Sequence, residues 1–295
     1  MIPVTLLSGY LSAGKTTLVN DILQDPKGLK LVVLVNEFGD INIDMELIKE
    51  SSDDAIALTN GCACCTINDD LTGALASILK RDTAPDAIVI EASGVANLSR
   101  LKQAPANYPG FRVAQGITLV DASSIDRLLK DKFVSTTVRD QIIDADQLIL
   151  TKRDLADSPL PLKGVFRDSG YFPRFVERDV FLWNLEEQLT TAIERTESVG
   201  PISAEHVTHQ QHWIELGNVS MDLLYGFLES PPPEIVRIKG FVIANKNQFL
   251  VQADKGSFTI EESTTTTSKH GLQVIGTPAM NGQELISTLR MIENL

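Results

Sequence analysis

The sequence predicts an α/β fold: a doubly wound, mostly parallel sheet with a smaller α+β domain after it. Three observations carry that prediction. Short apolar runs alternate with helical stretches through the first half of the 295 residues. A glycine-rich loop joins the first run to the first helix. Beyond Val199-Gly200-Pro201 the runs become mostly alternating. Strands separated by helices imply parallel βαβ units, whose ligands bind at the carboxyl ends of the strands.

In chain order, Val4 to Ser8 is a β-rich run ending in the glycine loop, and a helix follows from Lys15 to Leu23. Leu31 to Val35 is continuously apolar, as a strand buried on both faces should be. Asp69 to Lys80 has helical spacing, with Leu71, Leu75, Ile78 and Leu79 on one side. Ala87 to Ile90, Gly116 to Val120 and Gln147 to Leu150 are further strands, each with a polar residue at its exit. Phe172 to Val176 reads as one more strand and Leu182 to Ile193 as a closing helix, which puts the first domain at residues 1–197. The second spans 205–295, with runs at Trp213 to Leu216, Ile235 to Ala244, Gln248 to Ala253 and Gly256 to Glu261. The last three read as an antiparallel meander, and Gln283 to Asn294 closes as a helix.

A formal net charge of -13 disfavours a nucleic-acid partner, because a phosphate backbone rewards basic surfaces. The apolar start, Ile2 to Leu7, lacks a basic flank and runs straight into the loop, so it does not read as a secretory leader. No run of about 18 apolar residues is present to span a membrane. All three cysteines fall within Cys62-Ala63-Cys64-Cys65. An odd, adjacent set is a poor disulfide framework and reads as reduced and metal-binding or redox-active, so the cytoplasm is the expected location.

Gly9-x-x-x-x-Gly14-Lys15-Thr16 follows a strand and opens a helix, the context of a P-loop NTPase phosphate site. Backbone N–H groups from Gly9 through Ser12, Ala13 and Gly14 can curl around phosphate oxygens. Lys15 supplies a charge to the β- and γ-phosphates, Thr16 ligates Mg²⁺, and Thr17 continues the first helical turn. Thr151-Lys152-Arg153-Asp154 follows a later strand. There Asp154 can accept two hydrogen bonds from guanine N1 and N2, which adenine cannot donate, while the Lys152 stem lies against the base. Thr151 stands where Asn is commoner, and a weaker scaffold hydrogen bond is expected there. Glu91, at a strand exit, can hold Mg²⁺ through water, and Gly94 offers a backbone N–H to the γ-phosphate. A carboxylate in such a position serves as a helix cap about as often.

Cys62-x-Cys64 lets two thiolates face one ion of the zinc type, with Cys65 pointing elsewhere. Oxygen donors to complete the site come from Asn36-Glu37-Phe38-Gly39-Asp40, from water or from substrate. Small thiols packed under a loop are the bland alternative. His206, His209 and His212 form either a secondary metal site or a surface segment; on a helix their spacing spreads them over different faces.

These pieces together resemble the CobW family of metal-handling GTPases, relatives of the nickel-enzyme maturation GTPases. The resemblance rests on Gly9 to Thr17, Asn36 to Asp40, Gly61 to Cys65, Glu91 to Gly94, Val120-Asp121-Ala122 and Thr151 to Asp154, and continues at Arg237-Ile238-Lys239-Gly240-Phe241. It implies a GTPase that loads or delivers zinc or cobalt to a client metalloprotein, with Mg·GTP as substrate and Cys62, Cys64, Cys65 and Glu37 at the ion. Many members carry a histidine-rich stretch before the second domain; only three spaced histidines stand here, so metal storage is not implied. The chain between Asp157 and Phe172 is short for the family, which implies a reduced sheet edge. Glu37 and Asp40 are the candidates to position the attacking water. The rival readings are a small-molecule kinase, a passive metal-binding protein with structural nucleotide, and a redox switch. A homo-oligomer is left open.

Overall fold

A computed structural model describes residues 1–36, 55–58, 67–156, 162–169, 171–192, 209–254, 257–263 and 269–293; for 36, 55–58, 67–70, 163 and 167–169 it gives the backbone alone. The described residues divide into two units, one up to residue 192 and one from 209 onward. The expected boundary between 197 and 205 lies outside them.

In the first unit the strands are β1 (Ile2–Ser8), β2 (Leu31–Asn36), β3 (Ala55–Leu58), β4 (Ala87–Glu91), β5 (Phe111–Asp121), β6 (Gln147–Thr151) and β7 (Arg174–Val176). They form one seven-stranded sheet in the order β3-β2-β4-β1-β5-β6-β7. Every pairing in it is parallel. The chain is α/β and doubly wound, as its apolar runs require: β4 is buried at every position because both faces are covered. The helices are α1 (Lys15–Gln24), α2 (Ile67–Leu79), α3 (Leu98–Asn107), α4 (Ile125–Lys130), α5 (Ser135–Ile143), α6 (Leu162–Ser169), α7 (Arg178–Trp183) and α8 (Leu185–Thr190).

Strand order decides where a ligand goes. The chain places β2, β3 and β4 on one side of β1 and β5, β6 and β7 on the other, so the order reverses at β1. A crevice opens at the carboxyl end of such a strand. Register then gathers the strand exits: Leu7 pairs with Glu91, Ser8 with Thr118, and Asp121 with Thr151. At the sheet edge β7 is only three residues long, consistent with the short stretch ahead of it. The expected closing helix is instead two short ones, α7 and α8, broken at Asn184, which stands at the junction and donates its side-chain amide back to the Val180 carbonyl.

The second unit holds β8 (Gln210–Glu215), β9 (Ile235–Ala244), β10 (Asn247–Asp254), β11 (Ser257–Glu262) and β12 (Gly271–Gly276), with α9 (Met221–Glu229) and α10 (Gly282–Arg290). The sheet is antiparallel in the order β11-β10-β9-β12-β8, and β9, β10 and β11 make the expected meander. Asn245 and Lys246 both have positive φ, 51° and 71°, the backbone of a two-residue hairpin turn whose twist matches the strands. Leu224 and Leu228 of α9 and Leu285 and Leu289 of α10 pack with Ile238, Val242, Val251, Leu272 and Val274 in one core. Each such side chain contributes about 1.5–3 kcal/mol on burial. Among the described residues no helix is long and apolar enough to cross a membrane.

Candidate functional site

The loop after β1 is shaped by backbone that side chains would block. Gly9 has φ 142°, and a Cβ there would lie 2.5 Å from the Leu119 carbonyl oxygen. Ser12 is left-handed at φ 61°, and the Ala13 N–H closes the turn on the Tyr10 carbonyl at 3.1 Å. The loop therefore curls back over β5 and delivers the chain to α1. No side chain caps α1 among the described residues, and its first turn carries no acid. That leaves N–H groups and the positive end of the helix dipole facing the loop, a combination that fits a phosphate. The Lys15 amine is buried and donates to the carbonyl oxygens of Gly9, at 2.9 Å, and Tyr10, at 3.5 Å. Thr17 stands exposed in the first turn.

Thr16 and Glu91 meet. The Thr16 hydroxyl, in the first turn of α1, donates to Glu91 Oε1 at the end of β4 at 2.9 Å. Glu91 is the last residue of β4, 2% exposed, and is not a helix cap; α3 is capped by Asn97, which accepts from the Arg100 N–H at 2.8 Å. Hydroxyl and carboxylate beside a phosphate loop form the donor set that suits Mg²⁺.

Gly94 lies against the same loop: a Cβ on it would meet Leu11 Cδ2 at 2.3 Å and the Leu11 nitrogen at 3.0 Å. Its carbonyl, at 3.2 Å, and that of Ala96, at 3.0 Å, accept from Gln141 Nε2 of α5. Gln141 is 2% exposed. Tyr10 and Leu11 line a small cavity with Ile125, Leu128, Val138 and Gln141, so α4 and α5 pack against the loop after β1, and Gln141 ties α5 to the Gly94 loop as well. Burial pushes the Tyr10 hydroxyl pKa up, the Asp131 charge adds to that, and Arg127 opposes it.

The third loop follows β6. Thr151 Oγ1 donates to the Ala13 carbonyl at 3.0 Å, so the threonine ties this loop to the phosphate loop despite replacing the commoner Asn. Lys152 is left-handed, φ 52°, and its amine donates to Asp121 Oδ2 at 2.8 Å. Asp154 is exposed in the 3₁₀ turn Arg153–Leu155 and makes no hydrogen bond or ion pair among the described residues. Arg153 pairs with Glu177 at the exit of β7.

Gly9, Ser12, Ala13, Gly14, Lys15, Thr16, Glu91, Gly94, Thr151, Lys152 and Asp154 thus all lie at the carboxyl edge of one sheet. Glu37, Asp40, Cys62, Cys64, Cys65 and His206 lie outside the described residues. His209 and His212, before and within β8, do not assemble with a third ligand: no metal-holding group of His, Cys, Asp or Glu occurs among the described residues. Sequence reasoning missed Gln141, because a lone glutamine in a weakly patterned helix gives no signal. Asp121 carried one, a polar residue at a strand exit.

Among known proteins, the profile of the CobW/HypB/UreG nucleotide-binding domain matches residues 3–168. The zinc chaperone CobW of a Sinorhizobium species is 34% identical, over 53% of this chain and 52% of that protein. The zinc-regulated GTPase metalloprotein activator 1 of Schizosaccharomyces pombe is 38% identical, over 53% and 40%. The zinc chaperone YjiA of Escherichia coli is 36% identical, over 52% and 50%. The chain spans about half the length of the curated relatives it matches.

Proposed function

The chain belongs to the CobW/HypB/UreG family by its nucleotide-binding domain, and from that premise we propose a metal-coupled GTPase. It hydrolyses GTP to GDP and phosphate slowly and uses the cycle to load or deliver a transition-metal ion, zinc or cobalt, to a client metalloprotein in the cytoplasm. One observation carries the reading: the Thr16–Glu91 pair, 2.9 Å apart, sits beside an uncapped helix start at the strand exit where the sheet order reverses. The names of the relatives, zinc chaperones and a zinc-regulated GTPase activator, support zinc as the cargo.

In this reading Lys15 exchanges the carbonyls of Gly9 and Tyr10 for the β- and γ-phosphates. Thr16 and, through water, Glu91 would hold Mg²⁺, which supplies charge that neutralises the phosphates. Asp154 accepts from guanine N1 and N2. Water adds to the γ-phosphorus and the β–γ bridging oxygen leaves with GDP. Glu37 and Asp40 are proposed to orient that water, and Cys62, Cys64 and Cys65, with Glu37, to hold the cargo ion. The Gly94 N–H meets the γ-phosphate, and Gln141 carries its movement to α5.

The coupling is tested by anaerobic zinc titration, read by thiolate absorption, with GDP and with a non-hydrolysable GTP analogue. The triphosphate should tighten zinc binding, and zinc should tighten the analogue by the same factor. Equal zinc affinity in the two nucleotide states overturns the proposal. Client activation that survives Lys15→Ala establishes the passive reading instead.

A further inference from the structure

The geometry points to Asp121 as the positioning residue for the base: its carboxylate holds the Lys152 amine so that the lysine stem stays laid along one face of the guanine. The inference rests on the guanine reading above and assigns the face of the base, where Asp154 takes its edge.

Asp121 closes β5, is 8% exposed, and lies in register with Thr151, one residue before Lys152. The Ala122 N–H donates to the Thr151 carbonyl at 2.9 Å and locks the two strand exits side by side. The two carboxylate oxygens are divided. Oδ1 accepts from the Ser123 N–H at 3.0 Å and the Ser123 hydroxyl at 2.6 Å. Oδ2 accepts from Lys152 Nζ at 2.8 Å. Ser123 thereby fixes the rotation of the carboxylate and leaves one oxygen for the lysine.

Lys152 has no comparable internal reason to be where it is. Its backbone is left-handed, φ 52° and ψ 37°, which is unfavourable for a residue with a long side chain. Its side chain is 38% exposed, and an ion pair with so exposed a partner adds little to stability. A buried acid engaged in such a pair is therefore not explained by the fold. Recognition of the base explains it. With the amine tethered, the four-carbon stem has fewer rotamers to lose when a flat ring arrives beside it. Without the tether the amine swings into water and the base loses one wall.

The test uses the full chain, with GDP, ADP and Mg-pyrophosphate as probes in calorimetric titrations. Wild type should prefer GDP to ADP. Asp121→Asn should weaken GDP about tenfold, the scale of one charge-assisted hydrogen bond, with pyrophosphate affinity unchanged. Lys152→Met should lose a similar factor. The double variant should bind GDP no more weakly than Lys152→Met alone, because Asp121 acts through the lysine. Unchanged GDP affinity in Asp121→Asn overturns the proposal. So does a parallel loss of GDP and pyrophosphate, which marks a merely structural role, and so do losses that add in the double variant. A wild type that binds GDP and ADP alike overturns the guanine reading, and this proposal with it.

Discussion

The two ends of the proposed nucleotide site are built from different material. At the phosphate end the shape is backbone: Gly9, Ser12 and Gly14 hold φ of 142°, 61° and 92°, and α1 begins without a side-chain cap. At the base end it is side chain: Lys152 reaches Asp121, Thr151 reaches the Ala13 carbonyl, and Arg153 reaches Glu177. A backbone-built surface is fixed by steric exclusion and admits few substitutions. A surface built from charges half in water can be tuned by charge, salt and pH. In the proposed reading, one site thus has a rigid end for the part common to all nucleoside phosphates and an adjustable end for the base.

The widest separation of the two ends comes from Gly9→Ala. A Cβ 2.5 Å from a carbonyl oxygen, on a backbone that L residues avoid, cannot be relieved by a rotamer change. We expect a loss of roughly 3 kcal/mol in urea unfolding and the disappearance of GDP and pyrophosphate binding together. Near-wild-type stability would refute the steric account. Glu91→Gln comes next. It keeps a partner for Thr16 but removes the carboxylate, so the Mg²⁺ needed for half-maximal GTP hydrolysis should rise about tenfold, while Mg-free GDP binding stays put. An unchanged Mg²⁺ requirement removes Glu91 from the metal's surroundings.

Thr151→Val probes the joint between the ends. Valine keeps the shape and deletes the 3.0 Å hydrogen bond to Ala13, worth about 1 kcal/mol. GDP affinity should fall about fivefold with pyrophosphate affinity little changed, because the base loop loses its alignment while the phosphate loop keeps its own. Equal losses for both probes would show that Thr151 supports the phosphate loop itself.

What the sequence disclosed follows the same division. The glycine loop between β1 and α1 was legible because glycine spacing and strand–loop–helix context are local. So were β2, whose continuous apolar run announces a strand covered on both faces, and β1, β4 and β6, which showed as short β-rich runs with a polar residue at the exit. The meander of β9 to β11 showed in its alternation. The helices α4 and α5 were not legible. One is six residues long, and the other buries Thr137, Asp140 and Gln141, polar positions that erase the apolar stripe. β12 hid because it is Gly-Leu-Gln-Val-Ile-Gly, buried throughout despite two glycines and a glutamine. The tie between Lys152 and Asp121 joins residues 31 apart in sequence, and no local pattern records such a pairing.

The smallest expected effect separates the ends by pH. Burial alone would raise the Asp121 carboxyl, but hydrogen bonds from Lys152 and Ser123, with the charge of Lys152, outweigh it and hold the group below the ordinary carboxylate range. An acid depressed in the folded state contributes stability that is present above its unfolded pKa and lost as pH falls through the folded one. Because Lys152 is 38% exposed, the contribution is on the order of 0.5 kcal/mol and shrinks with salt. Urea unfolding between about pH 7 and pH 3 should therefore show the gap between wild type and Asp121→Asn closing as the pH falls. The gap between wild type and Gly9→Ala should stay constant over the same range, because that substitution removes space rather than charge. An Asp121→Asn gap that is equally constant would mean that the carboxylate gains nothing from its lysine in the folded protein, and the base end would then be as indifferent to charge as the phosphate loop.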